Sequence, residues 1–147
     1  MKTHENYVNL KIAKLLQELE FDWECKAHYQ GDTFHEYTIQ KEKMIIMNHL
    51  KTPSYMECVS CPTLFVAQKW LREMYHIEIQ IKYLYKGNPS DGILEYRWTI
   101  CFTHPIPYKE YEAKLNDCYS TYETALEAGI EKVLNLLKEK LESINNV

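Results

Sequence analysis

Two stretches of alternation leave this chain few ways to fold. Ile77, Ile79, Ile81, Tyr83 and Tyr85 alternate with Glu78, Gln80, Lys82, Leu84 and Lys86. Tyr96, Trp98, Ile100 and Phe102 then alternate with Glu95, Arg97, Thr99 and Cys101. A period of two sends successive side chains to opposite faces, the mark of a half-buried strand. Residues 86–92, Lys-Gly-Asn-Pro-Ser-Asp-Gly, are dense in turn formers and predict a long, mobile hairpin loop between the strands. Tyr83, Tyr85 and Tyr96 are expected on the core side with Ile79 and Trp98. The other face, Glu78, Gln80, Lys82, Arg97 and Thr99, reads as solvated and is the candidate binding surface of the sheet.

The rest of the chain arranges itself around this hairpin. Residues 6–20 predict an amphipathic helix, with Val8, Ile12, Leu15, Leu16 and Leu19 on one face. Trp23, Cys25, Ala27 and Tyr29 then alternate with polar neighbours as a strand, Gly31-Asp32 is a turn, and residues 34–40 return as a second strand. Met44, Ile45, Ile46 and Met47 form an apolar run whose period does not choose between strand and helix, and Thr52-Pro53-Ser54 is a break. A second helix is expected from Pro62, proline suiting a first helical position, with Ala67, Trp70, Leu71 and Met74 as its buried stripe. Thr103 to Tyr108 interrupts the sheet with two prolines, and residues 109–119 read as a loop or a further edge strand. Ser120 followed by Glu123 has the spacing of a capping box for a last helix to about Glu142. Ala125, Leu126, Ile130, Val133, Leu134, Leu137 and Leu141 form its face, with Gly129 in the stripe where close backbone packing is expected.

The element order is therefore α-β-β-(?)-α-β-β-α. Strands grouped in hairpins imply antiparallel pairing, and one apolar face per sheet needs a helical cover. The expectation is a single α+β domain over residues 1–147, an antiparallel sheet of hairpins with helices packed on one face. Residues 8–50 and 62–103 each read as a helix-hairpin unit, a weak sign of duplication.

Composition narrows the functional classes. Seventeen basic against twenty-one acidic residues give a net charge of −4. Proteins that bind nucleic acid through phosphate neutralisation carry a basic excess, so the charge balance argues against that partner. No apolar run approaches the roughly 20 residues of a membrane span, and the first residues show no apolar signal segment, so the chain reads as cytoplasmic. Five cysteines, an odd number, are then expected as reduced thiols.

Cys58-Val59-Ser60-Cys61 is the one formal motif. With Cys25 and His28, at the same spacing, it could complete a Cys3His set suited to zinc. The objection is geometric: along a strand Cys25 and His28 point to opposite faces, which leaves Cys25 a small buried residue and His28 a surface one. A redox dithiol places its first cysteine at a helix start, whereas here the second, Cys61, would sit there. Glu78, Gln80 and Lys82, with Glu95 on the neighbouring strand, loosely echo the acidic-x-lysine strand of some metal-dependent nucleases, but alternating charge on a wet face explains them without catalysis. The six histidines form no HxH or HxxxH pair, no glycine-rich phosphate loop occurs, and there is no G-x-S-x-G elbow. What remains is an aromatic surplus of twelve tyrosines, a residue type enriched in contact surfaces.

Cys61-Pro62-Thr63, the run from Ala67 to Glu73, Trp98, and Tyr122-Glu123-x-Ala125-Leu126-Glu127-Ala128-Gly129-Ile130 together resemble a group of small proteins of Bacteroidetes genomes, their phages and mobile elements. The resemblance spans about residues 60 to 137 and carries no assigned activity. It implies a cytoplasmic accessory protein of bacterial or phage origin. The sequence thus leads to a non-enzymatic binding module without a cofactor, its partner an unidentified protein or small ligand. A zinc-stabilised domain on Cys25, His28, Cys58 and Cys61 is the alternative, and a homodimer formed through strand edges is a third expectation.

Overall fold

The computed structural model describes residues 6–36, 58–92, 94–102, 110–112 and 117–145. Expectations for residues 37–57 and 103–109, including the 44–47 run and both proline breaks, lie outside the described residues.

The architecture is α+β, with helices α1 (Leu10–Glu18), α2 (Leu64–Tyr75) and α3 (Tyr122–Asn145). The strands are β1 (Ala27–Gln30), β2 (Thr33–Glu36), β3 (Cys58–Ser60), β4 (Ile77–Tyr85), β5 (Leu94–Phe102) and β6 (Glu110–Glu112). They form two antiparallel sheets, ordered β2-β1-β3 and β4-β5-β6. The chain divides into two compact units, residues 1–63 with 134–147, and residues 64–133.

In the first unit α1 begins later than expected. Asn9 is its N-cap, accepting the Ile12 N–H at 2.9 Å on Oδ1, which satisfies one of the free donors of the first turn. Tyr7 and Val8 are instead extended: Tyr7 bridges to Thr63, and the Val8 N–H donates to the Pro62 carbonyl at 3.0 Å. Val8 is fully buried, but as part of this pairing and not of a helix. Pro62 is correspondingly extended, two residues short of α2, so it is not the first helical residue.

Gly31 and Asp32 join β1 to β2 in register Gln30↔Thr33, and Gly31 takes φ +62°. A two-residue hairpin loop requires a positive φ at its first central position, which only glycine adopts cheaply. β3 pairs on the other edge of β1, with Gln30↔Cys58 and His28↔Ser60.

In the second unit β4 and β5 pair along their whole length, from Ile77↔Phe102 to Tyr85↔Leu94. Their connection is ordered by a 3-10 turn, Pro89–Asp91, whose Asn88 cap accepts the Ser90 N–H at 3.2 Å. β6 adds to the far side of β5, and Tyr119 continues that edge by exchanging two backbone bonds with Tyr96, at 2.8 and 2.9 Å.

α2 stops at Tyr75, where His76 turns the chain with φ +56°. Its buried stripe is Leu64, Ala67, Trp70 and Leu71, while Met74, expected inside, is 56% exposed. Thr121 and not Ser120 caps α3, its Oγ1 accepting the Thr124 N–H at 3.1 Å. Leu141 is exposed on the last turns of α3, since the expected face continues one turn beyond its cover.

A β-carbon added at Gly129 would lie 3.0 Å from Ile79 Cγ2 and 3.1 Å from Trp98 Cβ. The close approach expected there exists, but its partners are side-chain carbons of the hairpin, not another backbone. This contact seats α3 directly on the inner face of β4 and β5.

Candidate functional site

The hairpin register places all five polar candidates on one face. Gln80 lies opposite Thr99, Lys82 opposite Arg97, and Glu78 opposite Cys101. Their surroundings are unequal. Gln80 and Lys82 are exposed; Glu78 is partly covered, with Arg72 of α2 at 3.6 Å. Arg97 Nε points to Cys118 Sγ at 3.2 Å. Thr99 is only 3% exposed, which corrects the expectation of a uniformly wet face. β5 is the central strand of its sheet, with β4 and β6 on its two edges.

The inner face holds the larger surprise. Ile77, Ile79, Trp98 and Ile100 are buried, as the alternation requires, but Tyr83 and Tyr85 are 62% and 50% exposed. The reason is the extent of the cover. The first residue of α3, Tyr122, lies edge-on to Tyr96 with ring centroids 6.4 Å apart. Tyr96 is the cross-strand partner of Tyr83. The helix therefore starts level with the Tyr83–Tyr96 pair, and the strands run on past it. Tyr83 and Tyr85 meet edge-to-face at 6.5 Å, and Phe65 of α2 stacks on Tyr122 at 6.5 Å. Two ring groups, Tyr85 with Tyr83 and Tyr96 with Tyr122 and Phe65, thus lie next to each other across the Tyr83–Tyr96 strand pair.

β4 is also an edge strand. In an antiparallel ladder successive residues direct their N–H and C=O to opposite edges. Tyr96 exchanges both its bonds with Tyr119, on the side away from β4. Its partner Tyr83, and with it Ile81 and Tyr85, must turn their backbone groups to the open edge of β4. An independent contact agrees: Gln68 Nε2 of α2 donates to the Ile79 carbonyl at 2.8 Å from that same edge. Gln68 closes the edge at Ile79, and among the described residues it is open from Ile81 to Tyr85. Leu84, 45% exposed, points to the other face.

The four proposed zinc ligands are not brought together. The β1–β3 register puts Cys58 and Ser60 on the face of Gln30 and His28. The Cys61 N–H donates to the Ala27 carbonyl at 3.0 Å, which sets Cys61 on the opposite face. Among the described residues no three His, Cys, Asp or Glu side chains are grouped to hold a metal ion. Cys61 Sγ instead donates to the Val8 carbonyl at 3.2 Å, an oxygen that also accepts the Tyr29 hydroxyl at 3.1 Å. Burial pushes the Cys61 thiol up to about 12 against a lesser opposing effect of Tyr29, and burial with the adjacent Cys61 pushes Cys25 up to about 12. Both are protonated thiols at neutral pH, poor as nucleophiles and as ligands.

His28 corrects a second expectation, because it is buried and not on the surface. It stacks on His35 across the β1–β2 hairpin, centroids 5.1 Å apart, and burial followed by the neighbouring His35 lowers its pKa. The two-residue turn at Gly31-Asp32 determines this pairing, so the stacked pair was available to a register count along the sequence even though no HxH motif exists.

An open pocket of about 200 Å³ lies beside the hairpin tip, lined by Lys86, Leu94, Glu95, Cys118, Tyr119 and Ser120. That is smaller than the roughly 300–1,000 Å³ that encloses a small-molecule ligand. No family model, curated protein or solved structure matches this chain. Among the described residues no helix is long and apolar enough to cross a membrane.

Proposed function

We propose that the protein is a non-enzymatic interaction module that takes an extended segment of a partner protein on the open edge and aromatic face of β4. The observation that carries this reading is the exposure of Tyr83 and Tyr85, 62% and 50%, on a strand whose outer backbone groups are open from Ile81 to Tyr85 among the described residues. Strand addition draws affinity from main-chain hydrogen bonds and selectivity from alternate side chains. Tyrosines suit the second task, being large, stiff and amphipathic. The polar residues Gln80 and Lys82 would meet the other face of the incoming segment, while Arg97, on β5 and turned to Cys118, stands back from it. With the resemblance to proteins of bacterial and phage genomes, this describes a cytoplasmic accessory protein that acts by binding.

Panning a random peptide library against the dilute protein tests the reading. Peptides with alternating apolar positions should be enriched. Replacing Tyr83 and Tyr85 together by serine should lower their binding at least about tenfold while changing stability by under about 0.5 kcal/mol, because both side chains are exposed. Equal binding by the double variant would overturn it.

A further inference from the structure

We infer that the segment best fitted to the open edge of β4 is β4 of a second copy, paired antiparallel about a two-fold axis at Tyr83. The inference rests on the reading of β4 as a docking edge and names its occupant.

The edge itself selects the register. Gln68 occupies the Ile79 carbonyl and the strand ends at Tyr85, so among the described residues the open stretch is Ile81 to Tyr85. Its midpoint is Tyr83. Only residues whose backbone groups face outward can form hydrogen-bonded pairs across the new junction, and these are Ile81, Tyr83 and Tyr85. A two-fold axis at Tyr83 matches them completely: Tyr83 meets Tyr83 of the second copy, and Ile81 meets Tyr85. Each such pair exchanges two backbone bonds.

Side-chain chemistry agrees with this register and disfavours its neighbours. On the polar face Lys82 falls opposite Leu84 of the second copy, and Lys86 opposite Gln80, so no like charges face each other. Moving the axis to Lys82 would set Lys82 against itself, and moving it to Leu84 would set Lys82 against Lys86. Like charges directly opposite are destabilising. On the aromatic face the Tyr83 pair and the two Ile81–Tyr85 contacts cover side chains that α3 leaves bare. Aromatic and aromatic–β-branched cross-strand pairs are the favourable ones in sheets. The isologous junction also closes after two copies, because the pairing uses the β4 edge of each. The paired stretch is short, and the interface falls in the small, transient class under about 1,200 Å².

Sedimentation equilibrium of the full chain tests the proposal. The weight-average mass should rise from 17.6 kDa toward twice that value between about 10 µM and about 1 mM, as a small interface implies. Tyr83→Lys, which sets two ammonium groups against each other at the axis, should weaken association at least about tenfold. Tyr83→Asp should do the same alone, and an equimolar mixture of the two variants should regain it as a mixed dimer. Both substitutions fall at the exposed Tyr83, and circular dichroism of each variant separates lost association from lost fold. A wild-type chain that stays at 17.6 kDa up to about 1 mM overturns the self-pairing, as does a variant mixture no stronger than either variant alone. Peptide capture by such a monomer would leave the docking edge standing and refute only its occupant; loss of both would refute the edge.

Discussion

Replacing Gly129 by valine is expected to destabilise the protein by roughly 3 kcal/mol, and alanine at the same position by about 1 kcal/mol. Helix propensity alone predicts the reverse, since glycine inside a helix costs about 1 kcal/mol relative to alanine. Packing decides the sign. The new β-carbon would stand 3.0 Å from Ile79 Cγ2, 3.1 Å from Trp98 Cβ and 3.3 Å from Trp98 Cγ. Trp98 Cβ is tied to the backbone of the central strand and cannot rotate aside. Ile79 is itself 1% exposed, with no free space to turn into. Alanine therefore gains helix propensity and loses more through overpacking. Valine adds two methyl groups to the same gap, and α3 must lift from the sheet. Urea titration measures the effect, and the melting temperature of the valine variant should fall by roughly 10 °C. A valine variant as stable as the wild type would mean that α3 does not rest on the hairpin at this point.

Alkaline pH should destabilise the protein more steeply than an ordinary chain of this composition. Cys25 and Cys61 both have folded-state pKa values of about 12, against 9.0 for an unburdened thiol. Below pH 9 the thiols are protonated in both states and contribute no pH dependence. Between about pH 9 and pH 12 the unfolded chain ionises them while the folded chain does not. The unfolded state then holds fewer protons, and stability falls as pH rises, by about 1.4 kcal/mol per pH unit for each thiol and about 3 kcal/mol for the two. Urea midpoints measured from pH 8 to pH 11 should show this slope. Cys25→Ala should halve it, a readout that cavity formation alone does not give. A wild-type slope unchanged by that substitution would show that the thiols do not carry it. In the same pH range alkylation should reach Cys58, Cys101 and Cys118, all partly exposed, before Cys25 and Cys61.

The two long strands were legible because nine residues of alternation determine both element type and facing. The pairing of Gln80 with Thr99 and of Lys82 with Arg97 follows from that alternation plus the turn, so the shared face of the five polar candidates could be read as well. What alternation cannot express is how far a covering element extends. Tyr83 and Tyr85 have the same phase as Ile77 and Ile79, and only the starting point of α3, beside Tyr96, separates covered from bare. β3 is three residues long, too short to show a period, and its sequence drew notice as Cys-x-x-Cys instead. Once it pairs with β1, Cys58 and Cys61 lie on opposite faces, and the metal reading loses its geometry. His28 follows the same logic: a strand position near a turn says nothing of burial until the partners on both edges, His35 and Ser60, are in place.

The outward-facing amides of β4 set a pattern in time as well as in space. Lys82 and Leu84 direct their N–H groups to β5, while Ile81, Tyr83 and Tyr85 direct theirs to the open edge. In a dilute solution in D2O, deuterium should enter this strand at every second residue, fast at Tyr83 and Tyr85 and slow at Lys82 and Leu84. A strand added at the edge would make the rates uniform, so the loss of a two-residue rhythm in exchange is the sign that this hairpin has found its partner.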